Sequence, residues 1–261
     1  MRMPAIFVGH GSPMHALGQG AVVRHWARLG GELPRPRAIL CISAHWETDR
    51  PAVTDLDPPP TIHDFGGFPA ELYELHYPAP GSPELVAELQ HLVPELRRDT
   101  EWGLDHGTWA PLRHIFPAAD IPVVQFSLAR AFDPAGHNTL ARRLAPLREA
   151  GVLIVGSGNI VHNLRRVKGS GGAPHEWAEV FDAAVAERLE ADDADALIKY
   201  PALSPAARLA VPTPEHYLPL LYVLGVRHPE DRLHFFNKFI EMGSLSMRSF
   251  ILHAGGEEYE L

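Results

Sequence analysis

Sixteen of the 261 residues are histidine, against only three lysines. Imidazole is therefore the main ionisable nitrogen besides the guanidinium groups of 20 arginines. It titrates near neutrality and ligates transition metals. Three histidines follow short apolar runs: His10 comes one glycine after Ala5–Val8, His45 ends Ala38–Ala44, and His162 lies six residues beyond Gly156, after Val152–Val155. A fourth, His216, opens the segment Pro214–Leu220, where proline marks a helix start, a place well suited to face a ligand. A fifth, His106, falls in the aromatic, Gly-rich stretch Trp102–Trp109, which has no hydrophobic period and reads as a functional loop. Histidines without cysteine partners suit Zn, Fe, Cu or Ni, and a mixed histidine and carboxylate set with open positions suits non-haem Fe(II).

These side chains need a scaffold that brings them together. Ala5–Val8, Ala38–Ala44, Ile121–Leu128 and Val152–Val155 are near-continuous apolar runs bounded by Gly or Pro, the pattern of strands buried on both faces. Between and after them, Glu84–Leu92, Leu140–Leu147 and the stretch 175–190 carry helical spacing, the last through Trp177, Val180, Phe181, Ala184, Val185 and Leu189. Strands alternating with helices predict one α/β domain over residues 1–261, a central, mostly parallel sheet flanked by helices. Ligands of open α/β sheets bind outside the carboxyl ends of the strands, so a parallel sheet would deliver His10, His45 and His162 to one edge. Residues 46–69, with Pro51, Pro58–Pro60, Gly66, Gly67 and Pro69, are too long for a plain connector and read as a lid or binding loop containing His63 and Phe65.

Composition excludes several function classes. A net charge of −9 argues against a sequence-independent nucleic-acid or anionic-membrane binder. No apolar run approaches the roughly 18 residues of a membrane span, and Ala5–Val8 is too short for a signal-peptide core. A cytoplasmic protein is expected. The single cysteine, Cys41, rules out an internal disulfide and sits among apolar residues as an inert thiol. HExxH is absent, Val161 replaces the third glycine of a dinucleotide fingerprint begun at Gly156, and the surroundings of Ser12 are not a nucleophile elbow.

Seven segments together resemble the class III extradiol ring-cleavage dioxygenases, in their DOPA 4,5-dioxygenase branch. They are FVGHGSPM (7–14), ISAHWET (42–48), IHDFGGFPAELYELHYPAPG (62–81), WGLDHGTWAPL (102–112), IPVVQFSL (121–128), GSGNIVHNL (156–164) and EHYLPLLYVLG (215–225). The resemblance implies a metal site of His10, His45 and His216. It gives His162 the acid/base role, with the alternative of a fourth ligand, and makes His106 the substrate-side histidine. His63, Asp64 and Phe65 would form a wall of the substrate pocket. Better-known members close a 2-His-1-carboxylate triad with Glu, whereas here His216 stands at that position beside Glu215. An all-imidazole set leaves the full charge on the metal and suits Zn as well as Fe, although Zn has no redox chemistry. The implied cofactor is one divalent metal, Fe(II) for activity with Zn as the other candidate ion. The implied reaction opens a catechol with O2 to a yellow semialdehyde. The implied partners are the catechol and O2, with no nucleic acid and no membrane, in a monomer or small homo-oligomer. A zinc-dependent hydrolase and a non-enzymatic metal-binding relative of the same fold are the alternatives.

Overall fold

The computed structural model describes residues 2–169, 171–255 and 259; Ser170 and the remaining terminal residues of the expected 1–261 domain lie outside the described set. Its strands are β1 (Ala5–Gly9), β2 (Ala38–Thr48), β3 (Ala52–Thr54), β4 (Arg97–Asp99), β5 (Val123–Ala129), β6 (Val152–Gly158), β7 (Asp231–Phe236), β8 (Ile240–Glu241), β9 (Leu245–Ser246) and β10 (Ser249–Ala254). The longer helices are α1 (Ala21–Glu32), α2 (Pro83–Leu92), α3 (His106–Ile115), α4 (Pro134–Leu144), α5 (Glu176–Glu190) and α6 (Leu218–Gly225). Eight strands form one sheet in the order β4-β3-β5-β2-β6-β1-β10-β7, and β8 and β9 form a separate hairpin.

The four apolar runs are the parallel middle of the sheet, β5-β2-β6-β1. Successive side chains of a strand point to opposite faces, and here both faces are covered, which is why the runs show no alternation. Phe7, Leu40, Ile42, Phe126 and Ile154 join the core under α2, α4, α5 and α6. Ile6, Val8, Ile39, Cys41 and Val155 join a second core under α1 and α3. The sheet departs from a purely parallel one at its margins. β10 and β7 add antiparallel beyond β1, and β3 meets β5 antiparallel. Charged residues break up β7 and the exposed edge strand β4, while β3 and the apolar part of β10 are only three residues long, so none shows the long buried-strand run. β3 also takes part of the 46–69 stretch into the sheet, leaving the segment after Thr54 to reach the cavity described below. Among the described residues no helix is long and apolar enough to cross a membrane.

Candidate metal centre and active site

The carboxyl ends of β1, β2 and β6 are where the functional side chains collect. β1 ends at Gly9, whose Cβ position would sit 2.8 Å from the backbone of Met247, and His10 follows, its N–H donating to Gly158 O at 3.1 Å. β2 keeps parallel register with β5 up to Ile42, then shifts before Glu47. Such irregularities re-aim side chains at the rims of sheets, and His45 lies inside this one. His216 sits in the turn before α6. Its carbonyl accepts the Asn159 N–H at 2.8 Å, and a Cβ on Gly158 would run into that same oxygen. His162 is tied by its N–H to Ala210 O at 2.9 Å and pairs with Leu245. His106 is the first residue of α3, whose N-cap is Asp105.

The five imidazoles converge. His10, His45 and His216 can each place a ring nitrogen within 4.8 Å of the others. The ring centroids of these three stand 4.9–5.3 Å apart. His10 Nε2 and His45 Nε2 are 3.0 Å apart, close to the separation of two nitrogens sharing one cation at about 2.0–2.1 Å each. His162 stacks on His216 with centroids 3.4 Å apart and planes 5° from parallel. His106 lies 4.0 Å from His45 by ring centroid.

The outer nitrogens of His10 and His216 each meet an acceptor, and that of His45 has a carboxylate nearby. Ser157 Oγ donates to Gly107 O and therefore accepts from His10 Nδ1 at 3.0 Å, which puts the proton on Nδ1 and the lone pair on Nε2. Glu215 Oε1 accepts from His216 Nδ1 at 3.1 Å, again freeing Nε2. That Nε2 is buried and has no hydrogen-bond partner. Asp64 Oδ2 stands 3.5 Å from His45 Nδ1. An imidazole nitrogen that is buried and has no partner among the described residues, beside two others whose lone pairs face each other, suits the donor set of a shared cation, since buried polar groups otherwise find partners. Burial, reinforced by the neighbouring imidazoles, pushes the pKa of His10 and His216 far down and that of His45 to about 3. Burial likewise lowers His162 to about 4. All four are neutral at pH 7, the form that binds metal.

A cavity of about 350 Å³ opens over this cluster. His10, His45, His106, His162 and His216 line it together with Asp64 and an apolar wall that includes Phe65, Phe68, Leu164 and Leu245. His63 is not among its lining residues. Its Nε2 bonds Leu75 O at 2.9 Å, and its ring meets the edge of Phe65, so it supports the wall from behind. The expectation of a loop at Trp102–Trp109 fails from His106 onward. His106 begins a helix in which polar His106 and Thr108 are buried beside the apolar residues and Gly107 and Pro111 lie inside, so its sequence reads as a breaker-rich loop.

Comparison with known proteins agrees with this geometry. Residues 5–242 match the family described as the catalytic LigB subunit of aromatic ring-opening dioxygenase. The chain belongs to this extradiol dioxygenase family. It is 48% identical over 255 residues to the 4,5-DOPA dioxygenase extradiol of Escherichia coli (strain K12), covering 95% of this chain and 94% of that one. The 4,5-DOPA dioxygenase extradiol of Beta vulgaris is 37% identical over 252 residues, 94% of each chain. A crystal structure of an uncharacterized Escherichia coli K12 protein superposes with a TM-score of 0.85 at 42% identity, covering 97% of this chain and all 100% of the other.

The dioxygenase also holds polar residues that its sequence did not single out. Asp105, fully buried, accepts the Ser43 hydroxyl at 2.6 Å and a bond from Gln125 Nε2, and Ser43 Oγ in turn accepts the His45 N–H at 3.2 Å. This network fixes the backbone under His45 and the start of α3 under His106. Burial pushes the Asp105 carboxyl up to about 6. Ser157 and Ser43 interrupt apolar strands at their carboxyl ends, and that interruption was the signal available for them.

Proposed function

We propose that this dioxygenase opens the aromatic ring of a catechol, DOPA or a close analogue, with O2, using one divalent metal ion held by His10, His45 and His216. The observation that carries the reading is the orphaned, buried Nε2 of His216, facing a site where the Nε2 atoms of His10 and His45 also meet. Fe(II) bound there would supply the positive charge that favours a catecholate and the redox chemistry with O2, while Zn would fill the same donors without that redox chemistry.

The protein's own groups bind, orient and deprotonate. Phe65 and Phe68, on the 55–69 segment, offer an aromatic wall against which a catechol ring can stack or meet edge-on, and buried Leu245 adds apolar surface beside it. His63 acts through Phe65. His162, neutral at pH 7 and beside His216, takes a ring-hydroxyl proton as general base and returns it as the ring opens. His106 faces the substrate from the other side of His45.

The test is a catechol screen, DOPA included, against protein loaded anaerobically with Fe(II), following oxygen uptake and a yellow product. Uptake matching product formation, absent with Zn, is the expected result. A Zn-supported hydrolase activity with no oxygen consumption on any catechol would replace this reading.

A further inference from the structure

Asp64 stands 3.5 Å from His45 Nδ1, but its hydrogen bonds go to His106, and it is more tightly held there than a wall residue requires. Its Oδ1 accepts both the main-chain N–H and the ring Nδ1 of His106, each at 2.9 Å, and its Oδ2 lies 2.9 Å from the same Nδ1. The neighbouring residues fix its place. Ile62 N–H donates to Leu104 O at 2.7 Å, Trp109 Nε1 donates to Ile62 O at 2.9 Å, and Phe65 stands edge-on to the His106 ring. The Asp64 side chain is 13% exposed, so water competes little for it.

An ionised carboxylate can only accept hydrogen bonds, so the His106 nitrogen facing it carries the hydrogen. A neutral imidazole has one N–H, which leaves a lone pair on Nε2 of a ring that lines the cavity. We propose that Asp64 is a positioning residue that locks His106 in the Nδ1–H tautomer, so that His106 Nε2 accepts a hydrogen bond from a catechol hydroxyl. The acceptor role rests on the catechol reading; the tautomer does not.

Asparagine at this position separates shape from tautomer. The His106 main-chain N–H keeps the single amide oxygen as its acceptor, which turns the amide NH2 toward Nδ1. Nδ1 must then accept, and the hydrogen moves to Nε2, where it presents a donor to the substrate.

The experiment records long-range 1H–15N spectra of the metal-free full chain labelled at the histidine ring nitrogens, with His106→Gln to assign the signal. Wild type should show Nδ1–H at His106 and Asp64→Asn should show Nε2–H. In the Fe(II)-loaded enzyme Asp64→Asn should lower kcat on the catechol by roughly 10²–10⁴-fold, the range for a misplaced catalytic proton, with a much smaller change in KM. Its Zn affinity, from chelator competition, should fall by no more than about tenfold, the lower end for losing an outer partner of a ligand. An Nε2–H tautomer in wild type, an unchanged tautomer in the variant, or a switched tautomer with unchanged kcat would each overturn the proposal. If Asp64→Asn fails to fold, the wild-type spectrum alone decides the tautomer and Asp64→Ser replaces it in the kinetics. A wild type that opens no catechol yet shows Nδ1–H at His106 would sink the functional reading and leave the tautomer lock standing.

Discussion

Ser157→Ala isolates what holds a metal ligand in its binding form. Ser157 is completely buried in β6, and alanine keeps its Cβ, so the substitution removes one oxygen from a closed site. That oxygen makes two bonds, accepting from His10 Nδ1 at 3.0 Å and donating to Gly107 O. Their loss has separable consequences. In the metal-free protein two buried groups lose a partner, each worth about 0.5–1.5 kcal/mol, so stability should fall by roughly 1–3 kcal/mol. In the binding equilibrium His10 is no longer committed to Nδ1–H, and its ring is no longer aimed at the cation. Losing an outer partner of a ligating histidine costs about 10–100-fold in affinity, or roughly 1.4–2.7 kcal/mol. Chelator-competition titration with Zn measures the second effect, and denaturant unfolding of the metal-free protein measures the first. A variant destabilised by that amount but binding metal as tightly as wild type would show that Ser157 only packs, and the tautomer argument for His10 would be wrong.

His216→Leu should abolish tight metal binding in the same titration. The metal-free variant should nevertheless unfold at the same or higher denaturant concentration than metal-free wild type, because it removes a buried nitrogen that otherwise costs about 1–3 kcal/mol. Arg148, wholly buried, donates to Met3 O at 2.7 Å and Val226 O at 2.8 Å and pairs with Asp231 at 2.5 Å. Arg148→Met should cost about 3–5 kcal/mol at pH 7 by denaturant unfolding, since it removes the buried ionic partner of Asp231 and leaves Arg2, at 3.3 Å, as its ionic partner among the described residues. Burial lowers His137 to about 4, with its Nδ1 on Tyr222 OH at 3.1 Å. The unfolded chain binds that proton from near pH 6.5 downward and the folded one does not until near pH 4, so stability is complete above pH 6.5 and erodes as pH falls toward 4, by about 3 kcal/mol from this group. His137→Gln should flatten the acid side of the stability profile by that amount; parallel profiles for the two proteins would contradict it.

The parallel middle of the sheet was legible because strands buried on both faces leave unbroken apolar runs, and the histidines at their ends then followed from topology. β7 and β10 were not, since Asp231, Arg232 and His234 interrupt one and the apolar part of the other is only Phe250–Leu252. Helix α3 was hidden because Gly107 and Pro111, both poor helix formers, lie inside it and polar His106 and Thr108 are among its buried residues. The ligand candidates could be named one by one, but their partners could not. His10 and Ser157 are separated by 147 residues, and His106 and Asp64 by 42, and no local pattern joins residues so far apart. Only the adjacent pair Glu215–His216 lay within one motif.

In the proposed all-imidazole centre, that pair would let a carboxylate act without being coordinated. Glu215 stands one hydrogen bond outward, on His216 Nδ1, with Thr213 Oγ1 donating to the same carboxylate at 2.8 Å. Asp64 occupies the corresponding place near His45, and the Ser157 hydroxyl fills it for His10. On His216 and His10 the acceptor on the outer nitrogen turns the inner one into a lone-pair donor, while Asp64, hydrogen-bonded to His106, lends His45 its charge from 3.5 Å. The proposed centre would thus keep two negative charges near a divalent cation while offering it only neutral ligands. A metal held there would keep its pull on an anionic catecholate, and the outer carboxylates would raise the basicity of the imidazoles without themselves being ligands. Glu215→Asp would draw the carboxylate back from His216 Nδ1 and so loosen the bond that orients this ring, and a Zn chelator competition should then show weaker binding.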